Sequence, residues 1–447
     1  MKIGVRLGAA CVLCMAGAVD AADGDFDTTF SGDGKARVTW PYQISNPRVA
    51  IAADGSILHA TTEVRASGAE SNLDFAIAKL DPDGTLDSSF GFLGQRTVGF
   101  DLVTNGDDTL LGVFPLANGG VLLAGRGATD VAPFSYQAPG FIRLTPDGDR
   151  DLSFGEDGQV VFLDAPWSDH EDLRWNAVVR QPDGKFVFVG ACFSCDGAQP
   201  FAAIRIDENG QLDATFGDDG WFIYEHEDYV EISEVSVDAW GRIVLAGAFE
   251  PDDEPQDRPW LMRLTPSGQP DPTFGAGGTG YSFLSSIPLI GFGDWHTSGI
   301  AIDSDGSIVL SLENNGAGLV RTLPDGGLDT DFGVLGFLDL EREDGGEMNG
   351  VTIQSDHRIV AVGSIDHTNG DYDHYIVRTL PDGALDASFA GNGLLRVNMT
   401  ADFDDSASNV VLDAGRPLIV GRGGEDIEIG TVIRLESDLI FASGCGD

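Results

Sequence analysis

Basic side chains are scarce in this sequence. Its 447 residues include 72 Asp and Glu but only 26 Lys and Arg, so the formal net charge is −46. A negative field of that size repels phosphates, which argues against nucleic acid as a partner. The charge suits divalent cations or solubility in a salty exterior, and a solvated acidic surface would explain it without any ligand.

Long apolar runs are absent except at the N-terminus. There, basic residues precede an apolar run from Leu7 to Ala18, and small residues follow it. The run is too short to span a membrane and has the form of a secretory signal. We therefore expect residues 1–21 to be a signal peptide and the mature protein to be secreted, periplasmic or attached to the cell surface, without a membrane span.

Cysteine is also rare, with five in the whole sequence. Cys192 and Cys195 are separated by two residues in ACFSCDG. In an oxidising compartment they are predicted to form a structural disulfide, because no partners for a redox or zinc role are visible nearby in the sequence. Cys445, near the end, is left without an assigned role.

Sustained helical periodicity is missing, and a long repeat takes its place. An Asp, a Phe three residues later and a Gly four residues after the Phe recur seven times, with successive Phe residues 57 to 64 positions apart. A fixed period of this size indicates a repeat architecture. The pairs are Asp27/Phe30, Asp87/Phe90, Asp151/Phe154, Asp213/Phe216, Asp271/Phe274, Asp329/Phe332 and Asp386/Phe389.

Each unit contains four short apolar or alternating segments separated by Asp-Gly or Asn-Gly turns, which predicts four strands. Seven such units predict an all-β fold, a seven-bladed β-propeller with four-stranded blades that spans residues 22–447 as one domain. The chain begins with the last quarter of a unit and ends with the earlier strands of another. The N-terminal strand is therefore predicted to complete the C-terminal blade as its outer strand, which would remove exposed edges.

The recurring residues are predicted to be structural. The Phe would fill the seam between neighbouring blades, and the glycines would allow backbone conformations with positive φ. A basic residue before each third-strand turn is expected to pair with the recurring Asp; these residues are Lys79, Arg143, Arg205, Arg263, Arg321, Arg378 and Arg434. A residue present in every blade is a poor catalytic candidate.

The stretches LDPDGTLDSSFGFLG, LTPDGDRDLSFGEDG and TLPDGALDASFAGNG resemble the bacterial delta-sixty repeat family, as does QPDGKFVFVG. The resemblance covers nearly all of the chain beyond the signal. It implies a propeller-like protein exported by bacteria, and it implies no particular activity. The sequence departs from the pattern at Ser31 and Ala390, which replace the Gly after the Phe, and at Asp356-His357, which replaces an Asp-Gly turn.

Function is expected on one face of the propeller. The turns between first and second strands and between third and fourth strands are repeated and predicted to be tight, whereas the other connections are long and differ between blades. Variable loops on a rigid scaffold are where binding residues usually lie.

Acidic residues precede the innermost strands, which would place them at the mouth of the central channel. A hard cation would relieve their mutual repulsion, so a Ca²⁺ site is predicted. Capping of strands, pairing with Arg or exposure to water are the alternatives. The proposed ring is Asp107, Asp108, Glu171, Asp172, Asp294, Asp404 and Asp405, with Glu231 and Glu347 at corresponding places.

Two further groups are candidates. The stretch SIDHTNGDYDHY would form a loop that binds a transition metal or is simply a polar hairpin; its candidate ligands are Asp366, His367, Asp371, Asp373 and His374. Aromatic and His residues beside acids would hold a sugar, or are scattered surface residues; these are Trp167, His170, Trp295 and His296.

The usual catalytic motifs are absent from the sequence: it has no nucleophile elbow, phosphate-binding Gly loop or zincin motif. The leading prediction is an exported, non-enzymatic and monomeric binding or adhesion module. It would present an acidic, aromatic loop face to an extracellular protein or glycan, with Ca²⁺ as an ordering ion. The alternatives are a Ca²⁺-dependent hydrolase of phosphoesters or polysaccharides that uses the carboxylate ring, and a purely structural module.

Overall fold

The computed structural model describes residues 22–437 except for 68–69, 104–105, 130–136, 164–172, 193–199, 226–229, 251–256, 285–286, 288–294, 314–315, 341–344, 367–370, 401–402 and 425–427. In this part of the chain every named element is a β-strand, and the strands form seven four-stranded antiparallel sheets. None of the described residues belongs to a helix able to cross a membrane. The predicted all-β, seven-bladed propeller is confirmed.

Each blade runs from its innermost strand outward in chain order. Blades 1 and 2 consist of β2 (Gln43–Ile51), β3 (Ile57–Ser67), β4 (Glu70–Leu80) and β5 (Gln95–Val98), then β6 (Asp108–Pro115), β7 (Val121–Ala128), β8 (Gln137–Leu144) and β9 (Gln159–Val161). Blades 3 and 4 consist of β10 (Leu173–Arg180), β11 (Phe186–Cys192), β12 (Phe201–Ile206) and β13 (Trp221–Tyr224), then β14 (Val230–Val237), β15 (Ile243–Phe249), β16 (Arg258–Leu264) and β17 (Tyr281–Phe283). Blades 5 and 6 consist of β18 (His296–Ile302), β19 (Ile308–Glu313), β20 (Gly318–Thr322) and β21 (Phe337–Asp339), then β22 (Gly346–Ile353), β23 (Ile359–Asp366), β24 (Tyr372–Thr379) and β25 (Leu394–Val397).

Blade 7 closes the ring with strands from both ends of the chain. Its inner strands are β26 (Asp405–Asp413), β27 (Arg416–Gly423) and β28 (Ile429–Arg434), and its outer strand is β1 (Lys35–Thr39). The strands β1 and β28 are antiparallel, with Lys35 opposite Ile433 and Thr39 opposite Ile429. The predicted closure is confirmed, and it leaves β28 paired on both sides, so that no unpaired edge remains there.

The apolar core lies between the blades. Seven clusters of buried side chains each join two neighbouring sheets, including the seam between blades 7 and 1. Alternate residues of the middle strands point into the two flanking seams, so these strands are apolar throughout. In β15, for example, every residue is buried. Burial on both faces of each sheet makes the ring one continuous packed body.

The recurring basic residue pairs with the recurring Asp in all seven blades. The charged atoms lie 2.7 to 3.3 Å apart. In five blades the guanidinium also lies over the ring of the motif Phe, 4.5 to 4.9 Å from its centroid. The predicted ion pair is confirmed. It holds both the turn and the motif Phe in position.

The motif Phe fills the seam to the next blade, as predicted. A Cβ atom on Gly84 of blade 1 would lie 2.7 Å from the ring of Phe30, which belongs to blade 7. One residue after the Phe, the backbone N–H crosses the same seam, for example from Gly91 to the carbonyl of Asp147 at 2.7 Å. The residue at this position has a positive φ of 48–79° in every blade, which is why glycine prevails there.

The connections differ from the expectation in two places. The link between third and fourth strands, expected to be tight, occupies residues 81–94 in blade 1 because the Asp-Phe-Gly motif forms two successive turns. The link between second and third strands of that blade, expected to be long, is short. There β3 ends at Ser67 and β4 begins at Glu70. The two strands are each 11 residues long, so they lengthen the blade where a long loop was expected.

Candidate functional site

The seven innermost strands surround a central channel. Each carries a β-bulge at the same position, where one extra residue interrupts its register with the second strand. A bulge increases local twist and redirects the side chains around it. The residues directly after the bulges line a cavity of ≈ 210 Å³; they are Arg48, Gly112, Ala177, Glu234, Gly299, Gly350 and Asn409.

In blades 3 to 6, a side chain in the bulge connects the innermost strand to that of the next blade. The amide of Asn176 donates to the carbonyl of Ile232 at 2.7 Å, and Ser233 donates to the carbonyl of Thr297 at 2.6 Å. Ser298 and Asn349 make the corresponding bonds in the following blades. These small polar residues therefore fix the channel wall, a role that the sequence analysis did not assign to them.

Two opposite charges stand in this otherwise neutral wall. The carboxylate of Glu234 makes no hydrogen bond or ion pair with any residue that the structure describes. Burial raises the pKa of Glu234 to about 7, although the positive charge of Arg48 opposes the shift. Arg48 itself donates only to the carbonyl of Leu111, at 3.4 Å.

The described members of the proposed Ca²⁺ ring bind backbone amides. Asp108 accepts hydrogen bonds from the N–H groups of Phe100 and Asp101, and burial raises its pKa to about 7. Asp405 holds the corresponding connection of blade 7 through the N–H groups of Met399 and Thr400, at 2.6 and 2.9 Å. Both carboxylates thus fasten the chain that enters an innermost strand.

The preceding acids have a matching role. Asp107 accepts from the N–H of Leu73 at 3.2 Å, and Asp404 accepts from that of Tyr372 at 3.1 Å. Each bond joins a connection to the third strand of the preceding blade. The remaining ring members lie outside the described residues; they are Glu171, Asp172 and Asp294. Among the described residues, no group of three or more His, Cys, Asp or Glu is placed to hold a metal ion.

The second candidate metal cluster is divided between strands. Asp366 ends β23, whereas Asp373 and His374 belong to β24 and not to a loop. His374 is buried, and its Nε2 atom lies 2.7 Å from the hydroxyl of Thr431 in blade 7. Burial lowers the pKa of His374 to about 3. Asp371 directly precedes β24, and His367 lies outside the described residues.

The predicted ligand-binding aromatics and the disulfide are only partly described. Trp295 is buried and packs edge-on against Phe337, with ring centroids 5.6 Å apart, so it does not face solvent. His296 is half-buried. Trp167, His170 and Cys195 lie outside the described residues, and Cys192 is described only as the last residue of β11.

His296 belongs to an arc of charged residues at the variable face. Its ring nitrogens lie 3.5 Å from Glu231 and 3.7 Å from Asp257, and the hydrogen bond with Glu231 raises the pKa of His296. Burial raises the pKa of Glu313, which lies opposite His296 on the neighbouring strand, and the charge of Glu347 raises it further. Blades 4 and 6 therefore contribute carboxyl groups at the start of their innermost strands, and blade 5 contributes one at the end of its second strand.

A cleft continues this arc between blades 6 and 7. It has a volume of ≈ 260 Å³ and combines two carboxylates, one guanidinium, two hydroxyls and one phenol ring, from Glu347, Ser364, Tyr372, Asp404, Ser406 and Arg422. The side chain of Tyr372 is 39% exposed. Burial lowers the pKa of Arg422, and the neighbouring Glu347 opposes that shift. The sequence analysis singled out Asp404 and Glu347 but missed Tyr372 and Arg422, since neither recurs in other blades.

Four segments of the chain match a family described as "Domain of unknown function (DUF5122) beta-propeller": residues 52–90, 181–216, 241–274 and 354–389. Each match begins in the turn between first and second strands and ends at the motif Phe. The chain is a repeat-built β-propeller. The matched segments hold the structural motif, and they leave out the innermost strands and most of the variable face.

No curated protein matches the chain. Among solved structures, a Dyadobacter fermentans protein of unknown function is 13% identical, with a TM-score of 0.45 over 90% of this chain and 100% of its own. A Penicillium chrysogenum α-L-arabinanase bound to arabinobiose is 10% identical, with a TM-score of 0.43 over 90% and 98%. A Fusarium graminearum α-L-arabinofuranosidase is 11% identical, with a TM-score of 0.46 over 77% and 97%. At these scores the similarities carry no argument about function.

Proposed function

We propose that the mature chain is an exported, non-enzymatic binding module that takes up a glycan at its variable face. The observation that supports this is the cleft between blades 6 and 7. An exposed aromatic ring stands there beside carboxylates and a guanidinium. Carboxylates accept hydrogen bonds from sugar hydroxyls, a guanidinium donates to sugar oxygens, and a ring offers an apolar surface to the sugar face.

The size and position of the cleft favour one or two sugar units of a longer chain. Its volume of ≈ 260 Å³ lies near the lower end of ligand pockets, which is about 300 Å³. The acidic arc of Glu231, His296, Glu313 and Glu347 continues from it across three blades and would contact neighbouring units. We also propose that Ca²⁺ binds the carboxylates of Glu171, Asp172 and Asp294 in the connections that carry them.

The test is a glycan-binding screen with the chain from residue 22 onward, followed by calorimetric titration of the best oligosaccharide. Glu347→Gln should weaken binding about tenfold or more, since a hydrogen bond to a charged group contributes roughly 1.5–3 kcal/mol. Tyr372→Ala should also weaken binding, because it removes the apolar ring surface. Trp240→Ala is the matched control, because Trp240 is 58% exposed in the turn between β14 and β15, on the opposite face.

Two outcomes would contradict the proposal. Binding that falls equally in Trp240→Ala and Tyr372→Ala would mean that the cleft is not the site. A protein pulled from the cell surface that binds this face while no glycan does would make the ligand a protein.

One observation favours a second candidate, a hydrolase acting on glycans at the same mouth. Glu313 has a raised pKa beside other carboxyl groups, and such a pairing suits a general acid. Turnover of aryl glycosides that is abolished by Glu313→Gln would establish this activity. Oligosaccharide binding without any release of product would leave the binding module as the function.

A further inference from the structure

Three polar side chains that line the central channel are partly exposed to it and have few partners within the protein. Glu234 and Asn409 make no hydrogen bond to a residue that the structure describes, and Arg48 makes one long bond through Nε. Polar groups without a partner in the protein are available to donate to or accept from a ligand that enters the channel. All three follow the bulge of their strand, so they lie at one level of the channel.

The two donor side chains, Arg48 and Asn409, lie on the opposite side of the channel from the acceptor, Glu234. Arg48 belongs to blade 1 and Asn409 to blade 7, which are neighbours across the closing seam. Glu234 belongs to blade 4, which is separated from blade 1 by blades 2 and 3 and from blade 7 by blades 5 and 6, and it therefore stands across the channel. A guanidinium and an amide thus face a carboxylate through an open space.

The other four blades leave that space free. Gly112, Ala177, Gly299 and Gly350 occupy the same level with no side chain or a single methyl group. The cavity has a volume of ≈ 210 Å³ and is partly open to solvent. A small molecule fits a cavity of this size.

The two charges do not neutralise each other directly. Among the described residues, no ion pair within 4.0 Å joins Arg48 to Glu234. Burial raises the pKa of Glu234, and the charge of Arg48 opposes that shift only in part. A ligand that carried a positive group at Glu234 and a negative group at Arg48 would satisfy both.

We propose that the channel binds a small zwitterion with one carboxylate and one ammonium group, that is, a free amino acid. The ligand carboxylate would accept hydrogen bonds from the Arg48 guanidinium and the Asn409 amide, and its ammonium group would donate to Glu234. This site is separate from the glycan cleft, and it needs neither glycan binding nor catalysis.

The test is calorimetric titration of the chain from residue 22 onward at pH 8.5, where the Glu234 carboxyl is ionised. The probes are glycine, alanine and γ-aminobutyrate, with acetate and methylammonium as probes of a single charge. We expect saturable binding of at least one amino acid and at least tenfold weaker binding of the single-charge probes. Glu234→Gln and Arg48→Gln should each weaken amino-acid binding tenfold or more.

Matched controls come from outside the channel. Arg96 and Glu208 are partly exposed residues of the outer surface, so Arg96→Gln and Glu208→Gln should bind as the wild type does. Glu234→Gln keeps the shape of the side chain and removes only its charge, so it decides the question if Arg48→Gln does not fold. The proposal is overturned if no amino acid binds, if acetate binds as tightly as the amino acids, or if Glu234→Gln leaves their affinity unchanged.

Discussion

Ser31 and Ala390 hold a backbone conformation that the other five repeats give to glycine. Their φ angles are 53° and 48°. A side chain in this left-handed region costs about 1 kcal/mol, part of which the greater freedom of glycine in the unfolded chain offsets. Ser31→Gly and Ala390→Gly should therefore each raise the free energy of unfolding by about 0.5 kcal/mol, measured by denaturant titration.

Ala384→Gly is the control for that comparison. Ala384 lies in the same connection as Ala390 but outside the left-handed region. Glycine there should lower stability or leave it unchanged. Equal effects of Ala384→Gly and Ala390→Gly would show that φ does not decide the preference.

Two buried histidines flank the blade that closes the ring. His59 of blade 1 packs against Gly430 and stacks on Trp40, and His374 of blade 6 bonds Thr431. Burial lowers the pKa of His59 to about 4 and that of His374 to about 3. The folded state therefore keeps both neutral where the unfolded chain takes up protons, below its pKa of about 6.5.

The free energy of unfolding should consequently fall as the pH drops from 7.5 to 4.5. Each histidine should account for about 2–3 kcal/mol of that loss, because a pKa difference of one unit corresponds to about 1.4 kcal/mol. Denaturant titration at both pH values should show a smaller loss in His59→Gln than in the wild type. His296→Gln is the control with the opposite sign, since the pKa of His296 is raised. The same loss in wild type and His59→Gln would contradict this account.

At the scale of the element, one motif has different energetic weight in different blades. The charged side chains of Arg263 and Asp271 are 2% and 6% exposed, whereas those of Arg143 and Asp151 are 22% and 21% exposed. Removal of one partner from a buried pair leaves an uncompensated charge, which costs about 3–5 kcal/mol, against about 1 kcal/mol or less for an exposed pair.

Asp271→Ala should therefore destabilise the protein by at least about 2 kcal/mol more than Asp151→Ala. Both carboxylates also accept bonds from the N–H and hydroxyl of the residue two positions later, so the lost turn contacts cancel in the comparison. Thermal and denaturant unfolding of the two variants gives the difference directly. Equal losses would mean that burial of the pair adds nothing.

The sequence patterns predict the strands and turns more reliably than they predict the roles of individual side chains. Asp-Gly turns and apolar segments recur, and so they indicated four strands per blade and the closing strand β1. The sequence predicts Asp108 and Asp405 as metal ligands, and it cannot show the backbone N–H groups that donate to both carboxylates in the structure. Trp295 was expected at a binding face, yet it packs in the seam between blades 4 and 5. Neither outcome has a local signal, since both depend on contacts between blades.

At the scale of the molecule, repetition builds the scaffold and single residues distinguish the faces. The ion pairs, the motif Phe residues in the seams and the turns recur in every blade and hold neighbouring blades together. Arg48, Glu234, Tyr372 and Arg422 each occur once in their role and come from blades 1, 4, 6 and 7. A period can be found in one sequence, whereas a site assembled from unique residues far apart in the chain requires the folded ring.

The most direct test of the central claim is hydrogen–deuterium exchange of the mature chain with and without a bound oligosaccharide. The account predicts slower exchange in the first residues of β22, β24 and β26, which border the cleft. It predicts no change in the turns between first and second strands, including the one that carries Trp240. Protection of those turns with none at the cleft would contradict the assignment of function to the variable face.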